Sequence, residues 1–154
     1  MQRMRPSVIL TLFAGVLGGR LDAQGSAADV RVTEVVPVRN GVAARLCPGA
    51  RNAVRVGIAW SGPIPERPIQ VQISLAMRDD ASAGVVVAEG SVTPHANASA
   101  TTFTFLNVEV SERLRNRGAR LVARVVADRS VTETDTTNNV SRLEIDTTDW
   151  TCKS

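Results

Sequence analysis

Residues 52–60, NAVRVGIAW, alternate in hydrophobicity with a period of two. One set of alternate positions holds large apolar residues: Val54, Val56, Ile58 and Trp60. The intervening positions hold Arg55, Gly57 and Ala59. Residues 69–77, IQVQISLAM, repeat the pattern. Such alternation is typical of a β-strand that is buried on one face only, so both stretches are predicted to contribute strands to a common core.

Further strands follow from the same pattern outside these two stretches. They are predicted at residues 29–38, 84–92, 100–106, 119–128 and 140–145. Turns rich in Gly, Pro, Asn and Ser separate them, whereas residues 111–116 carry a weak short-helix signal with Ser111 as its N-cap. About seven short strands with such turns predict an all-β fold, an immunoglobulin-like antiparallel β-sandwich.

Composition and charge bound the class of protein. The 154-residue chain is 44% hydrophobic and 21% charged, which is typical of one globular domain and excludes a disordered tail or a coiled coil. The formal net charge is +3, but the first 23 residues contribute three arginines against one aspartate. The remaining arginines are scattered along the sequence. We therefore predict no nucleic-acid partner.

The N-terminus has the features of a secretory signal peptide. Two arginines precede an apolar stretch at 7–19 that is too short for a stable membrane anchor. Cleavage is predicted after Ala23, with Ala27 as the second choice and an uncleaved anchor helix as the alternative. No later apolar run has bilayer length, so the mature protein is expected to lack a membrane span and to be secreted or periplasmic.

The two cysteines, Cys47 and Cys152, predict a disulfide, because exported proteins fold in oxidising compartments. In an up-and-down sandwich the first and seventh strands end on the same side. Cys47 follows the first strand and Cys152 follows the seventh, so their pairing is geometrically sensible. The bond would tie a C-terminal tail, residues 148–154, to the domain.

Residues 121–145, LVARVVADRSVTETDTTNNVSRLEI, closely resemble the end of CARDB domains, the cell-adhesion-related domains found in bacteria. In that family a valine-rich strand ends in Asp and is followed by a Glu-x-Asp step and an Asn-Asn pair. The matching positions here are Asp128, Glu133, Asp135, Asn138 and Asn139. The resemblance spans about residues 28–147 and implies an immunoglobulin-like sandwich on exported proteins. The family usually repeats its module, whereas this sequence carries one copy.

The oxygen-bearing residues of this motif have two interpretations. They could coordinate Ca²⁺, or their side chains could bond to local backbone amides and stabilise a turn. The spacing is not that of an EF-hand loop and lacks its glycine, which favours the structural turn. We therefore predict no metal and no cofactor, with calcium as the alternative.

A second candidate is the loop at 61–68, SGPIPERP, which joins the second and third strands. The residues of this candidate binding loop are Pro63, Ile64, Pro65, Glu66 and Arg67. Proline stiffening lowers the entropic cost of binding, and a merely rigid connection is the alternative. The loop is expected at the end of the sandwich that also holds the turn at 128–130, opposite the disulfide.

No catalytic residues are predicted. His95 is the only histidine and sits in a loop, no Gly-x-Ser-x-Gly motif is present, and Asp79 and Asp80 precede a turn of small residues. The sequence thus favours a non-enzymatic adhesion module that binds a protein or carbohydrate through end loops or by strand addition. The alternatives are a periplasmic structural or accessory subunit of a larger envelope assembly and a small secreted hydrolase.

Overall fold

A computed structural model describes residues 28–63, 65, 67–79, 84–115, 117–126, 132–145 and 152. Within these residues the chain forms eight strands and two short 3₁₀ helices. The strands are β1 (Asp29–Arg39), β2 (Val42–Ala43), β3 (Arg51–Ser61), β4 (Ile69–Met77), β5 (Val85–Val92), β6 (Ala100–Glu109), β7 (Ala119–Val126) and β8 (Val140–Ile145). The predicted signal peptide lies outside the described residues.

The strands form two antiparallel sheets, with the orders β2-β1-β3-β6 and β5-β4-β7-β8. The predicted immunoglobulin-like β-sandwich is therefore confirmed, and seven of the strands coincide with the predicted ones. The eighth, β2, follows a two-residue hairpin turn at Asn40-Gly41, where both residues have positive φ angles of 51° and 78°. The Asn-Gly dipeptide is the sequence signal for such a turn.

The apolar residues at alternate sequence positions are the residues whose side chains are buried between the sheets. The side chains of Val54, Val56 and Ile58 on β3 are fully buried, as are Ile69 and Ile73 on β4 in the opposing sheet. Burying such a side chain stabilises the fold by about 1.5–3 kcal/mol relative to leaving it in water. Trp60 is also buried, as its place on the apolar face predicts. The core is thus the space between two period-two faces.

The two ends of the sandwich differ. One end, called here the disulfide end, holds the connections at 44–50 and 110–118 together with Cys47 and Cys152. These cysteines form a disulfide with a Cα–Cα distance of 5.5 Å, which confirms the predicted pairing. The other end, called the proline end, holds the connection at 62–68 and the start of β1.

Strands β5 and β6 lie on one side of the sandwich, each at the edge of its own sheet. The sheets close on each other at Gly90, because a Cβ atom there would lie only 2.9 Å from the ring of Phe103. Phe103 and Phe105 stack edge to face with ring centroids 4.7 Å apart. Gly90 therefore lets the aromatic pair of β6 lie against β5. Nearer the disulfide end, a groove opens between the two strands.

The short helix signal at 111–116 corresponds to a 3₁₀ helix, Glu112–Leu114. The Ser111 hydroxyl accepts a hydrogen bond from the amide of Arg113 at 3.3 Å, as the predicted N-cap requires. Leu114 is buried, so the helix is anchored to the core at the disulfide end. Ser111, Arg113 and Leu114 contribute to one wall of the groove.

Candidate functional site

This groove, named here the β5–β6 groove, has a volume of about 1060 Å³. Its lining includes three apolar residues of the core, Leu75, Val110 and Leu114. Its rim includes Met77, Val85 and Val86. The hydrophobic core of the sandwich is therefore reachable from one side of the molecule.

The rim of the β5–β6 groove exposes apolar surface. Val85 is 73% exposed, Val86 is 46% exposed and Met77 is 39% exposed. Val85 pairs in register with Leu75, whose side chain is buried, so Val85 extends the inner face of the sheet beyond the part that β6 covers. Val86 pairs with Ser74 and points to the opposite face, so Val85 and Met77 supply the exposed apolar side chains on the inner face. Exposed apolar side chains at an open side of a sheet are typical of an interaction site.

Both walls of the groove also offer backbone hydrogen-bonding groups. Strands β5 and β6 are the terminal strands of their sheets on this side, so one edge of each is left without a partner strand among the described residues. An extended peptide can pair with such an edge by main-chain hydrogen bonds while alternate side chains enter the groove. The two free edges therefore suit the pairing of an extended chain segment.

The sequence interpretation missed this groove. Val85, Val86 and Val87 follow one another on an edge strand, where one face is normally polar. That run of three valines was the available signal. It did not show which face would stay uncovered, because that depends on how far β6 reaches across β5.

The acidic and asparagine motif forms a hydrogen-bonded turn at the proline end. The hydroxyl and the amide of Thr137 donate to Asp135 Oδ1 at 2.6 and 2.8 Å. These two bonds hold the pKa of the Asp135 carboxyl below its usual value. Asn138 Nδ2 donates to Asp29 Oδ1 at 2.9 Å, which ties the turn to the first strand. Asp128 lies outside the described residues.

Asn139 is the buried member of the motif. Its Nδ2 donates to a carboxylate oxygen of Glu133, and Glu133 forms an isolated β-bridge with Ala28. The Oδ1 atoms of Asn138 and Asn139 are buried and have no hydrogen-bond partner. No group of three or more His, Cys, Asp and Glu residues is placed to hold a metal ion in the part of the chain that the structure describes.

We expect calcium to leave the melting temperature of the protein unchanged, because local donors already engage Asp29, Glu133 and Asp135. An ion bound at about one hundred times its Kd would stabilise the fold by about 2.7 kcal/mol, which a melting curve resolves. The measurement is a thermal melt in EDTA and again in excess calcium chloride. A calcium-dependent rise of several degrees would contradict this prediction and point to the unpartnered oxygens of Asn138 and Asn139.

The predicted binding loop lies at the proline end, near the start of β1 and opposite the disulfide. Its Pro63 and Arg67 are exposed, whereas Pro65 is buried. Ile64 and Glu66 lie outside the described residues. The side chain of Pro65 is thus part of the packed structure, while its described neighbours face solvent. A ligand at this loop stays a prediction.

The residues considered for catalysis are far apart. His95 is exposed in the connection from β5 to β6 at the proline end, and its carbonyl accepts a hydrogen bond from the amide of Ala98. Asp79 is exposed just after β4, at the disulfide end. Asp80 lies outside the described residues. His95 and Asp79 therefore share no site.

The arginines are scattered along the sequence, but the fold brings four of them to one pocket. Arg39, Arg45, Arg51 and Arg55 line one pocket on the outer face of the β2-β1-β3-β6 sheet. Their spacing in the sequence is six, six and four residues, which shows no charge run. The hairpin and the β3 register bring them together, and neither is visible in a charge count.

Two antiparallel sheets in these strand orders define a small immunoglobulin-like sandwich module. Its fold is similar to that of the CARDB domain of a Pyrococcus furiosus protein, a crystal structure in complex with di-metal ions. The two share 15% sequence identity over 79% of this chain and 92% of that one, with a TM-score of 0.51. The predicted resemblance to CARDB domains is thus confirmed at the level of the fold.

Two further structures are similar at lower scores. The solution structure of the same Pyrococcus furiosus domain has 17% identity over 78% of this chain and 94% of that one, with a TM-score of 0.49. A superoxide reductase from Ignicoccus hospitalis has 12% identity over 84% of this chain and 86% of that one, with a TM-score of 0.39. Scores this low carry no functional argument.

The sequence itself matches no protein-family model and no curated protein. Among the described residues, no helix has the length and apolarity that a bilayer crossing needs.

Proposed function

We propose that the protein is an exported, non-enzymatic adhesion module that binds an extended segment of a partner protein at the cell envelope or outside the cell. The apolar rim of the β5–β6 groove carries this proposal. The immunoglobulin-like fold supports it, because such sandwiches commonly serve as recognition modules on exported proteins. The disulfide supports export, because structural disulfides persist in oxidising compartments.

The proposed occupant is a β-strand with apolar side chains at alternate positions. Its backbone would pair with the free edge of β5 or β6, and its apolar side chains would cover Val85 on the inner face of the sheet. Inside the groove they would reach Leu75 and Leu114, which lie at the surface of the core. Main-chain pairing supplies affinity in this mode, and the apolar pockets supply sequence preference.

A permanent rather than transient occupant would make the chain a structural or accessory subunit of a larger envelope assembly. The same groove serves both interpretations. They differ in how long the partner stays bound, not in which surface binds it. A small secreted hydrolase is disfavoured, because His95 and Asp79, two of the residues considered for catalysis, lie at opposite ends of the sandwich.

Site-specific photo-crosslinking tests this proposal. A photoreactive residue replaces Val85 in the full chain, which is expressed in its own cells. A defined partner segment should then crosslink, and a synthetic peptide of that segment should bind the purified protein. Val85→Glu should weaken this binding by about tenfold or more, because a carboxylate would be buried against apolar surface.

Val42 supplies the matched control, since it is a valine on a strand and is 69% exposed but lies on β2, away from the groove. A photoreactive residue there should not capture the same segment, and Val42→Glu should leave peptide binding intact. N-methylation of alternate peptide amides should abolish binding if strands pair. Equal capture from both positions, or N-methylated peptides that bind normally, would refute the proposed mode.

A further inference from the structure

The two cysteines of the disulfide differ in their access to solvent. Cys47 is 3% exposed, so its sulfur is packed inside the disulfide end. Cys152 is partly exposed and lies seven residues beyond Ile145, where β8 ends. A thiolate breaks a disulfide by attacking one of its two sulfur atoms, and the rate depends on access to that atom. A thiol in solution therefore reaches Cys152 more readily than Cys47.

The loop that carries Cys47 is held by contacts that do not involve the disulfide. Asn52 Oδ1 accepts a hydrogen bond from the amide of Cys47 at 2.6 Å, and Asn52 Nδ2 donates to the carbonyl of Cys47 at 3.1 Å. The amide of Gly49 donates to the carbonyl of Val110 at 2.9 Å. These bonds remain when the disulfide opens, so Cys47 is expected to keep its place.

A cation lies beside the Cys47 sulfur. Arg39 Nη2 donates to Cys47 Sγ at 3.4 Å. The carbonyl oxygen of Arg45 also faces this sulfur, but it is farther away, at 3.8 Å, and carries no net charge. A guanidinium group next to a sulfur stabilises the thiolate relative to the thiol. Cys47 can therefore leave the disulfide with the bonding electron pair.

The Cys152 sulfur has the opposite surroundings. Its Sγ lies 3.4 Å from the carbonyl oxygen of Leu46. That oxygen is the negative end of a peptide dipole, so it disfavours a negative charge on Cys152. The two sulfur atoms thus differ in two ways, because Cys152 is the accessible target and Cys47 is the better leaving group.

We propose that Cys152 is a thiol-exchange site at which a small thiol modifies the protein reversibly. The incoming thiolate attacks Cys152 Sγ and forms a mixed disulfide with it. The bond between Cys152 and Cys47 breaks, and its electron pair stays on Cys47 as a thiolate beside Arg39. One disulfide and one thiolate are present before and after the step, so it needs no other oxidant or reductant. In the reverse step the Cys47 thiolate attacks Cys152 Sγ and expels the small thiol.

This site behaves differently from a purely structural disulfide. A bond that is buried at both sulfur atoms opens to thiols only when the domain unfolds. Exchange at Cys152 proceeds in the folded protein, at a rate proportional to the thiolate concentration. Neither cysteine lines the β5–β6 groove, so this inference stands apart from the proposed peptide binding.

Reduction kinetics of the whole, oxidised protein test the proposal. Dithiothreitol is a small dithiol whose first thiol attacks the bond and whose second thiol completes the reduction. The rate should rise linearly with dithiothreitol concentration under conditions in which the protein is folded. Arg39→Gln should lower the second-order rate constant by about fivefold, because Cys47 then leaves without its charge-assisted hydrogen bond.

Arg31→Gln is the matched control. Arg31 lies on β1, as Arg39 does, and is also exposed, so the variant removes the same charge. Its ion pair with Asp29 places it at the proline end, away from the disulfide. The rate constant of this control should stay within about twofold of the unmodified protein's, because salt screens a distant charge. Equal slowing in both variants, or no slowing in Arg39→Gln, would overturn the proposal.

Peptide mapping identifies the sulfur that is attacked. The oxidised protein is incubated with biotinylated glutathione, quenched in acid and digested with pepsin, and the biotinylated peptides are captured. Glutathione should be found on Cys152. Its presence on Cys47, or the absence of any captured peptide, would overturn the proposal. A reduction rate that levels off at high dithiothreitol concentration would do the same, because the bond would then open only through unfolding.

Discussion

Removing the disulfide with Cys47→Ser and Cys152→Ser is expected to lower the free energy of unfolding by about 4–5 kcal/mol. The two cysteines are 105 residues apart, so the bond restricts nearly the whole unfolded domain. A domain of this size is stable by about 5–15 kcal/mol, so the loss takes a large share of the total. Urea unfolding of the oxidised protein and of the double variant measures the difference.

Chemical reduction supplies the control for this prediction. The unmodified protein with its disulfide reduced should unfold at nearly the same urea concentration as the double variant. Because Cys47 is buried, Cys47→Ala with Cys152→Ala separates the loss of the bond from the burial of a hydroxyl. A stability within about 1 kcal/mol of the oxidised protein would show that the bond adds little.

Asn52→Ala is expected to destabilise the protein by about 3–4 kcal/mol, because one side chain satisfies four buried or partly buried backbone groups. Asn52 Oδ1 accepts from the amide of Cys47 at 2.6 Å. Its Nδ2 donates to the carbonyls of Cys47, Ala50 and Val108 at 3.1, 2.9 and 3.2 Å. Alanine removes all four bonds and leaves the loop at 44–50 without its polar anchor.

The measurement is again urea unfolding, with Asn97→Ala as the control because Asn97 lies in an exposed loop. That control should change the free energy of unfolding by less than about 0.5 kcal/mol. The Asn52 variant should also lose hydrogen-exchange protection near Cys47, where the loop opens. A decrease in the free energy of unfolding of less than about 1 kcal/mol would mean that water takes over the hydrogen bonds of the Asn52 side chain.

Strand positions were predictable because they depend on local alternation. The predicted strands at 69–77 and 140–145 coincide with β4 and β8 at both ends. The predicted end of a strand was less accurate where the alternation of apolar and polar residues is interrupted. The strand predicted at 100–106 continues to Glu109 in β6. Asn107 has a left-handed φ of 64°, and the pairing of β3 with β6 shifts register there, so the alternating sequence pattern stops before the strand ends.

The disulfide was predictable from two cysteines and a strand count, because antiparallel strands alternate direction. Asn52 was not recognised as a structural anchor, since it begins the alternating stretch at 52–60, which predicts a strand. Its position in the alternating pattern puts it on the inner face, and that burial of an amide was the signal for a structural anchor. Its four partner groups come from two separate parts of the chain, the loop at 44–50 and Val108 on β6.

The amino-acid order alone determined which segments become strands and which face of each is buried, because side chains alternate within a few residues of backbone. Two features arise from the packing of distant segments: the groove that β5 and β6 leave open beside Val85, and the pocket lined by Arg39, Arg45, Arg51 and Arg55. Those features depend on strand register and on which edges stay unpaired. Pairing between distant segments sets both, so no local pattern reveals them.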